Sequence, residues 1–232
     1  MSQGIAGTSG IAVETQGLLF DRDGVLISSI GSVERCWARW ADHYGVDRER
    51  ALAITHGRRA IDTVRTLRPD IDPVEGLRVI EDMEVLDMGD LVVLPGVAQL
   101  LSALPPDRWT IVTSATTRLM TARLNHAGLP LPERMITGDM VVNGKPHPEP
   151  YIRGAEILGF APQECIVVED APAGVGAGKA AGSRVLAVMG SYPMEELHAA
   201  DWVIPSLEQM GFEQSSGGLK LMFASLRQVV SH

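Results

Sequence analysis

The stretch Leu18-Leu19-Phe20-Asp21-Arg22-Asp23-Gly24-Val25-Leu26 constrains this chain more than any other. An apolar run of strand length stops abruptly at two carboxylates spaced i and i+2, and a glycine follows. Side chains alternate along an extended chain, so Asp21 and Asp23 are expected on one side and Arg22 on the other. In open α/β sheets, ligands bind in the crevice beyond the carboxyl ends of the strands. Like charges placed there repel unless a divalent cation or a shared proton offsets them. Hard carboxylate oxygens suit Mg²⁺, and one acid of such a pair can attack as a nucleophile while the other shuttles a proton. Most Asp-x-Asp triplets do neither, with one acid capping the next segment and the other solvated. The weight of this triplet therefore depends on what the remaining residues supply.

From Ser28 to Met88 the periodicity is helical. Ser28 and Ser29 are good helix starters, Val33, Cys36, Trp37, Trp40 and Tyr44 recur on one face, and Gly45 stops the run. Further helices are predicted over Arg48–Thr55, Ala60–Leu67 and Val74–Asp87, divided by Gly57, Pro69 and Pro73. A strand-to-strand crossover rarely needs so many, so residues 28–93 read as an inserted helical cap domain. Residues 13–27 and 94–232 then form the core domain, and residues 1–12, rich in Gly and Ser without an apolar signal core, form a loose tail.

The core resumes with a helix over Val97–Leu104 and an apolar strand over Trp109–Thr113. Ser114-Ala115-Thr116 then opens a helix that ends at Gly128, placing hydroxyls and free N–H groups at a helix start, where either phosphate binding or ordinary capping uses them. In Asn143-Gly144-Lys145-Pro146-His147-Pro148, glycine and proline breaks hold Lys145 on a rigid loop before a helix starting near Glu149. A fixed ammonium there can balance phosphoryl or carboxylate charge. The chain contains three lysines, Lys145, Lys179 and Lys220, against many arginines, which makes a merely solvated role for Lys145 less attractive.

Cys165-Ile166-Val167-Val168-Glu169-Asp170 repeats the opening design, an apolar strand ending in acids, and a Gly/Ala-rich helix over Ala171–Ala181 follows. Arg184–Val188 is a further strand, and Trp202-Val203-Ile204 before Pro205 an edge strand. Ser215–Gly218 reads as a flexible link, and Leu219–Val230 is apolar with no assignable structure.

Asp21/Asp23, Thr113-Ser114, Lys145 and Glu169/Asp170, in that order, resemble the four motifs of the haloacid dehalogenase (HAD) superfamily, across nearly all of residues 16–210. The helical block is similar to the cap of its subfamily I. Thr55-His56-Gly57-Arg58-Arg59, Val112-Thr113-Ser114, Gly144-Lys145-Pro146-His147-Pro148 and Val168-Glu169-Asp170-Ala171-Pro172 look like its sugar-phosphate and glycerol-phosphate phosphatase group. The resemblance implies an α/β fold, a doubly wound parallel sheet of Rossmann type with an inserted all-helical cap. It also implies phosphomonoester hydrolysis in which Asp21 forms an aspartyl-phosphate and Asp23 serves as acid, then base. Mg²⁺ would be held by Asp21, the carbonyl of Asp23 and Asp170, with Glu169 in support. Ser114, the Ala115 amide and Lys145 would grip phosphate, and His56, Gly57, Arg58 and Arg59 in the cap would meet the substrate. Two positions depart from the family pattern. Arg22 stands where an apolar residue is usual, so an acidic partner or solvent is expected for it. Ser28 replaces a common aspartate and is expected to serve as an N-cap.

A formal charge of −9 argues against nucleic acid and anionic membrane as partners. The two distant cysteines give no disulfide framework, so a cytoplasmic protein, monomeric or weakly dimeric, is expected. Dehalogenation is disfavoured by the second acid, Asp23, and phosphonoacetaldehyde hydrolysis by the absence of a cap lysine. A β-phosphoglucomutase-type mutase shares the same groups and is the nearest rival. A catalytically impaired binding or regulatory protein, with Arg22 as the symptom, is the reading from another class.

Overall fold

The computed structural model describes residues 10–55, 57–215 and 217–226. In chain order it runs β1 (Ile11–Thr15), β2 (Gly17–Phe20), β3 (Ile27–Ser28), α1 (Ile30–Tyr44), α2 (Arg48–Leu52), α3 (Ala60–Leu67), α4 (Pro73–Leu86) and β4 (Val92–Val93). It continues with α5 (Val97–Ala103), β5 (Trp109–Ile111), α6 (Thr117–Ala127), α7 (Glu149–Leu158), β6 (Cys165–Glu169) and α8 (Pro172–Ala180). Strands β7 (Arg184–Val188), β8 (Trp202–Ile204), β9 (Gly211–Ser215) and β10 (Gly218–Phe223) complete it.

Five strands form a parallel sheet in the order β5-β2-β6-β7-β8. Both faces are covered, which is why β2 and β6 are apolar throughout rather than alternating. Leu18, Phe20, Ile166 and Val168 enter the core on one face, while Leu19, Cys165 and Val167 enter the core on the other. Strand β2 lies between β5 and β6, with Phe20 opposite Ile111 on one side and Val168 on the other. The chain therefore leaves β2 for one flank and later returns to the other. That reversal opens the crevice beyond Phe20.

The helices between β3 and β4 have an apolar core of their own, built on Cys36, Trp37, Trp40, Val64, Leu67 and Ile80. Gly45 takes the left-handed conformation (φ 65°) that ends α1, as its place after the apolar face predicts. The two segments that enter and leave this block pair with each other, Ile27 with Val93 and Ser28 with Val92. Ser28 is thus a strand residue and not an N-cap. Ser29 precedes α1, but its hydroxyl makes no cap hydrogen bond and is used in the crevice instead.

A small antiparallel sheet, β1-β10-β9, joins the two ends of the described chain. Ile11 and Ala12, expected in a loose tail, pair with Phe223 and Met222; residues 1–9 of that tail lie outside the described residues. At the ends of the link expected over 215–218, Ser215 and Gly218 face each other as paired residues of β9 and β10, and residue 216 lies outside the described residues. Leu219–Phe223 is strand, with Leu219, Leu221 and Phe223 buried in the main core, and residues 227–230 are again outside the description. Among the described residues no helix is long and apolar enough to cross a membrane.

Candidate active site

Asp21 follows β2 directly, and its amide donates to the Val168 carbonyl at 2.9 Å, which extends the strand pairing by one residue and fixes the carboxylate over the crevice. Lys145, on the loop before α7, donates to Asp21 Oδ1 at 2.8 Å, to Glu169 Oε1 at 2.7 Å and to the Val112 carbonyl at 3.0 Å. Three acceptors match the three protons of an ammonium. Glu169 is held just as fully. Its Oε1 accepts from Lys145 and from the Tyr151 hydroxyl at 2.7 Å, and its Oε2 accepts from the amides of Asp170 and Ala171 at 3.0 and 3.2 Å. The helix starting at Pro172 aims its amino end at this carboxylate, and Gly174 makes room for it. A Cβ there would lie 1.7 Å from Glu169 Oε1. Gly174→Ala should therefore displace Glu169 from Lys145 and Tyr151, costing about 1–3 kcal/mol in chemical denaturation and lowering turnover.

Asp21, Glu169 and Asp170 each present an oxygen within 4.8 Å of the others, and all three are buried. Gly24, at φ 73°, lets the loop close over them, since a Cβ there would lie 1.8 Å from Asp170 Oδ2. Three carboxylates against the single ammonium of Lys145 leave two negative charges without a counter-charge. Burial and the neighbouring Glu169 and Asp21 charges push Asp170 up to about 8. Burial likewise pushes Asp21 up to about 7, even with Lys145 opposing it. Hard oxygens with an excess of two negative charges in a buried pocket fit a divalent cation. Within that group Glu169 is already surrounded by four donors, from Lys145, Tyr151 and the amides of Asp170 and Ala171.

Asp23 does not join this group. Strand β2 ends at Phe20, and the chain turns at once, with Leu26 and Ile27 donating their amides back to the Arg22 carbonyl at 2.8 and 3.1 Å. The alternation expected for Asp21, Arg22 and Asp23 is lost in that turn. The Arg22 guanidinium folds onto the Asp23 carboxylate instead of pointing away, and the Ser29 hydroxyl donates to the same group at 3.2 Å. Burial raises the Asp23 carboxyl, but the Arg22 and Arg123 guanidiniums outweigh it and hold Asp23 below its usual range. Arg22 has thus found the expected acidic partner, yet it is 1% exposed and its Nε and Nη1 have no hydrogen-bond acceptor among the described residues. Unpaired buried donors are costly, and Asp23 keeps Ser29 and a 3.6 Å approach to Arg123 without Arg22. The Asp23 side chain is 45% exposed, so water can meet its charge, and Arg22→Leu should raise stability by about 1–2 kcal/mol in urea titration.

Ser114 and Ala115, expected to grip phosphate, lie in the crevice with Asp21. Thr113, Ser114 and Ala115 line the same pocket as Asp21, Asp23 and Asp170. The Ser114 hydroxyl donates to the Gly57 carbonyl of the cap at 3.2 Å, and the Ala115 amide to Thr113 Oγ1 at 3.2 Å. Of the cap residues, Gly57 and Arg58 line the pocket and Arg59 does not. Arg59 sits at the start of α3, where Asp62 one turn on accepts its Nε at 2.7 Å, and its Nη1 donates to the Val141 carbonyl at 2.8 Å. It clamps the cap to the core rather than facing the crevice. His56 lies outside the described residues. Tyr151, Arg123 and Glu84 had no role assigned from sequence. Tyr151 follows the Lys145 segment by three residues, but nothing local marked Arg123 or Glu84.

Residues 15–182 match a family model described as haloacid dehalogenase-like hydrolase. The chain belongs to this family. The expected phosphatase of that family stands. This HAD-like hydrolase is 41% identical over 208 residues to hexitol phosphatase A of Escherichia coli (strain K12), covering 88% of this chain and 96% of that protein. It is 32% identical to glycerol-1-phosphate phosphohydrolase 2 of Saccharomyces cerevisiae, covering 82% and 81%. Among solved structures, β-phosphoglucomutase from Clostridium difficile superposes with a TM-score of 0.72 at 23% identity, over 84% of this chain and 92% of that one. At that identity the likeness speaks for the HAD fold alone. The expected doubly wound core with its helical insertion is the observed one.

Proposed function

We propose that this HAD-like hydrolase is a Mg²⁺-dependent phosphomonoesterase that releases phosphate from a small sugar or polyol phosphate through an aspartyl-phosphate on Asp21. The observation that carries the reading is the buried Asp21–Glu169–Asp170 group at the sheet's reversal point, its charge only partly balanced by Lys145. In the first step an Asp21 oxygen bonds to phosphorus while the bond to the leaving oxygen breaks, and that oxygen takes a proton from Asp23. Asp23 has to gain that proton from solvent as the substrate binds, because Arg22 and Arg123 favour its ionised form in the free protein. In the second, Asp23 takes a proton from water, the water oxygen bonds to phosphorus, and the bond to Asp21 breaks. Lys145 and Glu169 keep the nucleophile aimed, and Ser114 and the Ala115 amide take phosphoryl oxygens when the substrate displaces their present partners. Mg²⁺, held by Asp21, Asp170 and the Asp23 carbonyl, would supply charge neutralisation at the phosphoryl group. The phosphatase relatives favour hydrolysis over the mutase reading. Two buried, unpaired cysteines accord with a reducing cytoplasm.

Metal binding is tested independently of turnover by thermal unfolding. Without metal, Asp170 and Asp21 bind protons more tightly folded than unfolded, with values of about 8 and about 7 against 3.8 unfolded. Stability should therefore fall as pH rises from about 5 to 8. Added Mg²⁺ should remove that slope, so its Tm gain is larger at pH 8 than at pH 5, and Asp170→Asn should abolish most of the gain. A gain that persists in Asp170→Asn refutes the assigned site. Phosphate release that survives chelation refutes the metal requirement.

A further inference from the structure

Beyond Asp23, on the side away from Lys145, a second set of charged side chains lines the same pocket, and the chemistry above uses only Asp23 from it. Arg22, Arg123 on α6 and Glu84 on α4 of the cap are each buried, the two arginines at 1% exposure. Arg123 Nη1 donates to the Ser29 hydroxyl at 2.6 Å and lies 3.6 Å from Asp23, and its Nη2 lies 3.6 Å from Glu84 Oε1, too far for a hydrogen bond. Among the described residues, Nε and Nη1 of Arg22, and Nε and Nη2 of Arg123, have no acceptor. Four buried donors and one carboxylate without a close donor, gathered in one place, are unusual in a protein interior. The unmet demand is for a partner that both accepts and donates.

We infer that Arg22, Arg123 and Glu84 form a hydroxyl-recognition subsite for the polyhydroxylated leaving group, the arginines donating to its oxygens and Glu84 accepting from its hydroxyl protons. The inference rests on the phosphatase reading, because it places the subsite next to the acid that protonates the leaving oxygen. Two cations face two anions here, so the subsite carries no excess positive charge for a second phosphate or a carboxylate. A hydroxyl group suits both halves of the set, being donor and acceptor at once. Because Glu84 belongs to the cap and Arg123 to the core, such a leaving group would bridge the two when the cap is docked.

The test is a comparison of kcat/KM for sorbitol 6-phosphate and n-hexyl phosphate, with Mg²⁺, in the parent enzyme and in Glu84→Gln. A site built around hydroxyls rejects the analogue lacking them, so the parent should prefer sorbitol 6-phosphate by about 100-fold or more. Glu84→Gln should cut that preference about tenfold, because an amide replaces the charged acceptor. Equal turnover of the two esters by the parent overturns the subsite, and so does a Glu84→Gln variant that slows both to the same extent. Preference for gluconate 6-phosphate over sorbitol 6-phosphate would assign the arginines to an anion and also overturn it. If no ester, p-nitrophenyl phosphate included, releases phosphate, the phosphatase reading fails by itself. Calorimetric titration with sorbitol against 1,6-hexanediol then decides the subsite. Tighter sorbitol binding upholds it, and equal or absent binding removes it.

Discussion

Asp21→Asn should reduce phosphate release from p-nitrophenyl phosphate by about a thousand-fold or more, with the fold intact. The amide is nearly the same shape as the carboxylate, so the strand end and the Val168 pairing survive. What disappears is the nucleophilic oxygen, and neither Glu169 nor Asp23 is placed to replace it. Glu169 is saturated by four donors, and Asp23 is turned toward Arg22 and Ser29. The same change removes one of three buried like charges, so the metal-free variant should melt no lower than the parent at pH 8. A stopped-flow or colorimetric assay beside a thermal melt separates these outcomes. Residual activity near the parent level would show that Asp21 is not the attacking group.

Lys145→Met should be the most damaging single change to the folded state. The ammonium is buried and holds Asp21 and Glu169 at 2.8 and 2.7 Å. Removing one partner of a buried ion pair costs about 3–5 kcal/mol, because the remaining charges stay desolvated. The loss should be greatest near pH 8 and smaller near pH 5. Without Lys145 the carboxyl groups bind protons still more tightly in the folded state, and their protonation at low pH relieves the repulsion. Mg²⁺ should stabilise this variant more than the parent, since it faces three uncompensated charges in place of two. Turnover should fall by about 100-fold or more. Urea titrations at both pH values, with and without Mg²⁺, read the sign of each effect.

The strands that carry the site were legible in the sequence for a physical reason. Strands β2 and β6 are buried on both faces, so Leu18–Phe20 and Cys165–Val168 are unbroken apolar runs, and an acid at the end of such a run has nowhere to be except the crevice. Lys145 stood out through its rigid loop and the scarcity of lysine. The second charged set was not legible. Arg123 lies in an amphipathic helix among Arg118 and Asn125, and a polar residue there looks solvated until the cap covers it. Arg58 and Arg59 are adjacent in sequence, and only the start of α3 decides which of them Asp62 captures. The pattern at Leu219–Phe223 alternates well enough for a strand, but its partner Ile11–Thr15 lies some 200 positions earlier, beyond any local window.

The pairing of β1 with β10 also bears on how the protein is made. Strand β1 must wait for β10, made some 200 residues later, before its ladder can form, because Thr15 meets Leu219 and Ile11 meets Phe223. Until then Leu219, Leu221 and Phe223 are missing from the main core. A nascent chain halted before Gly218 should therefore leave part of its main core uncovered, apolar surface that chaperones would recognise and the completed fold conceals.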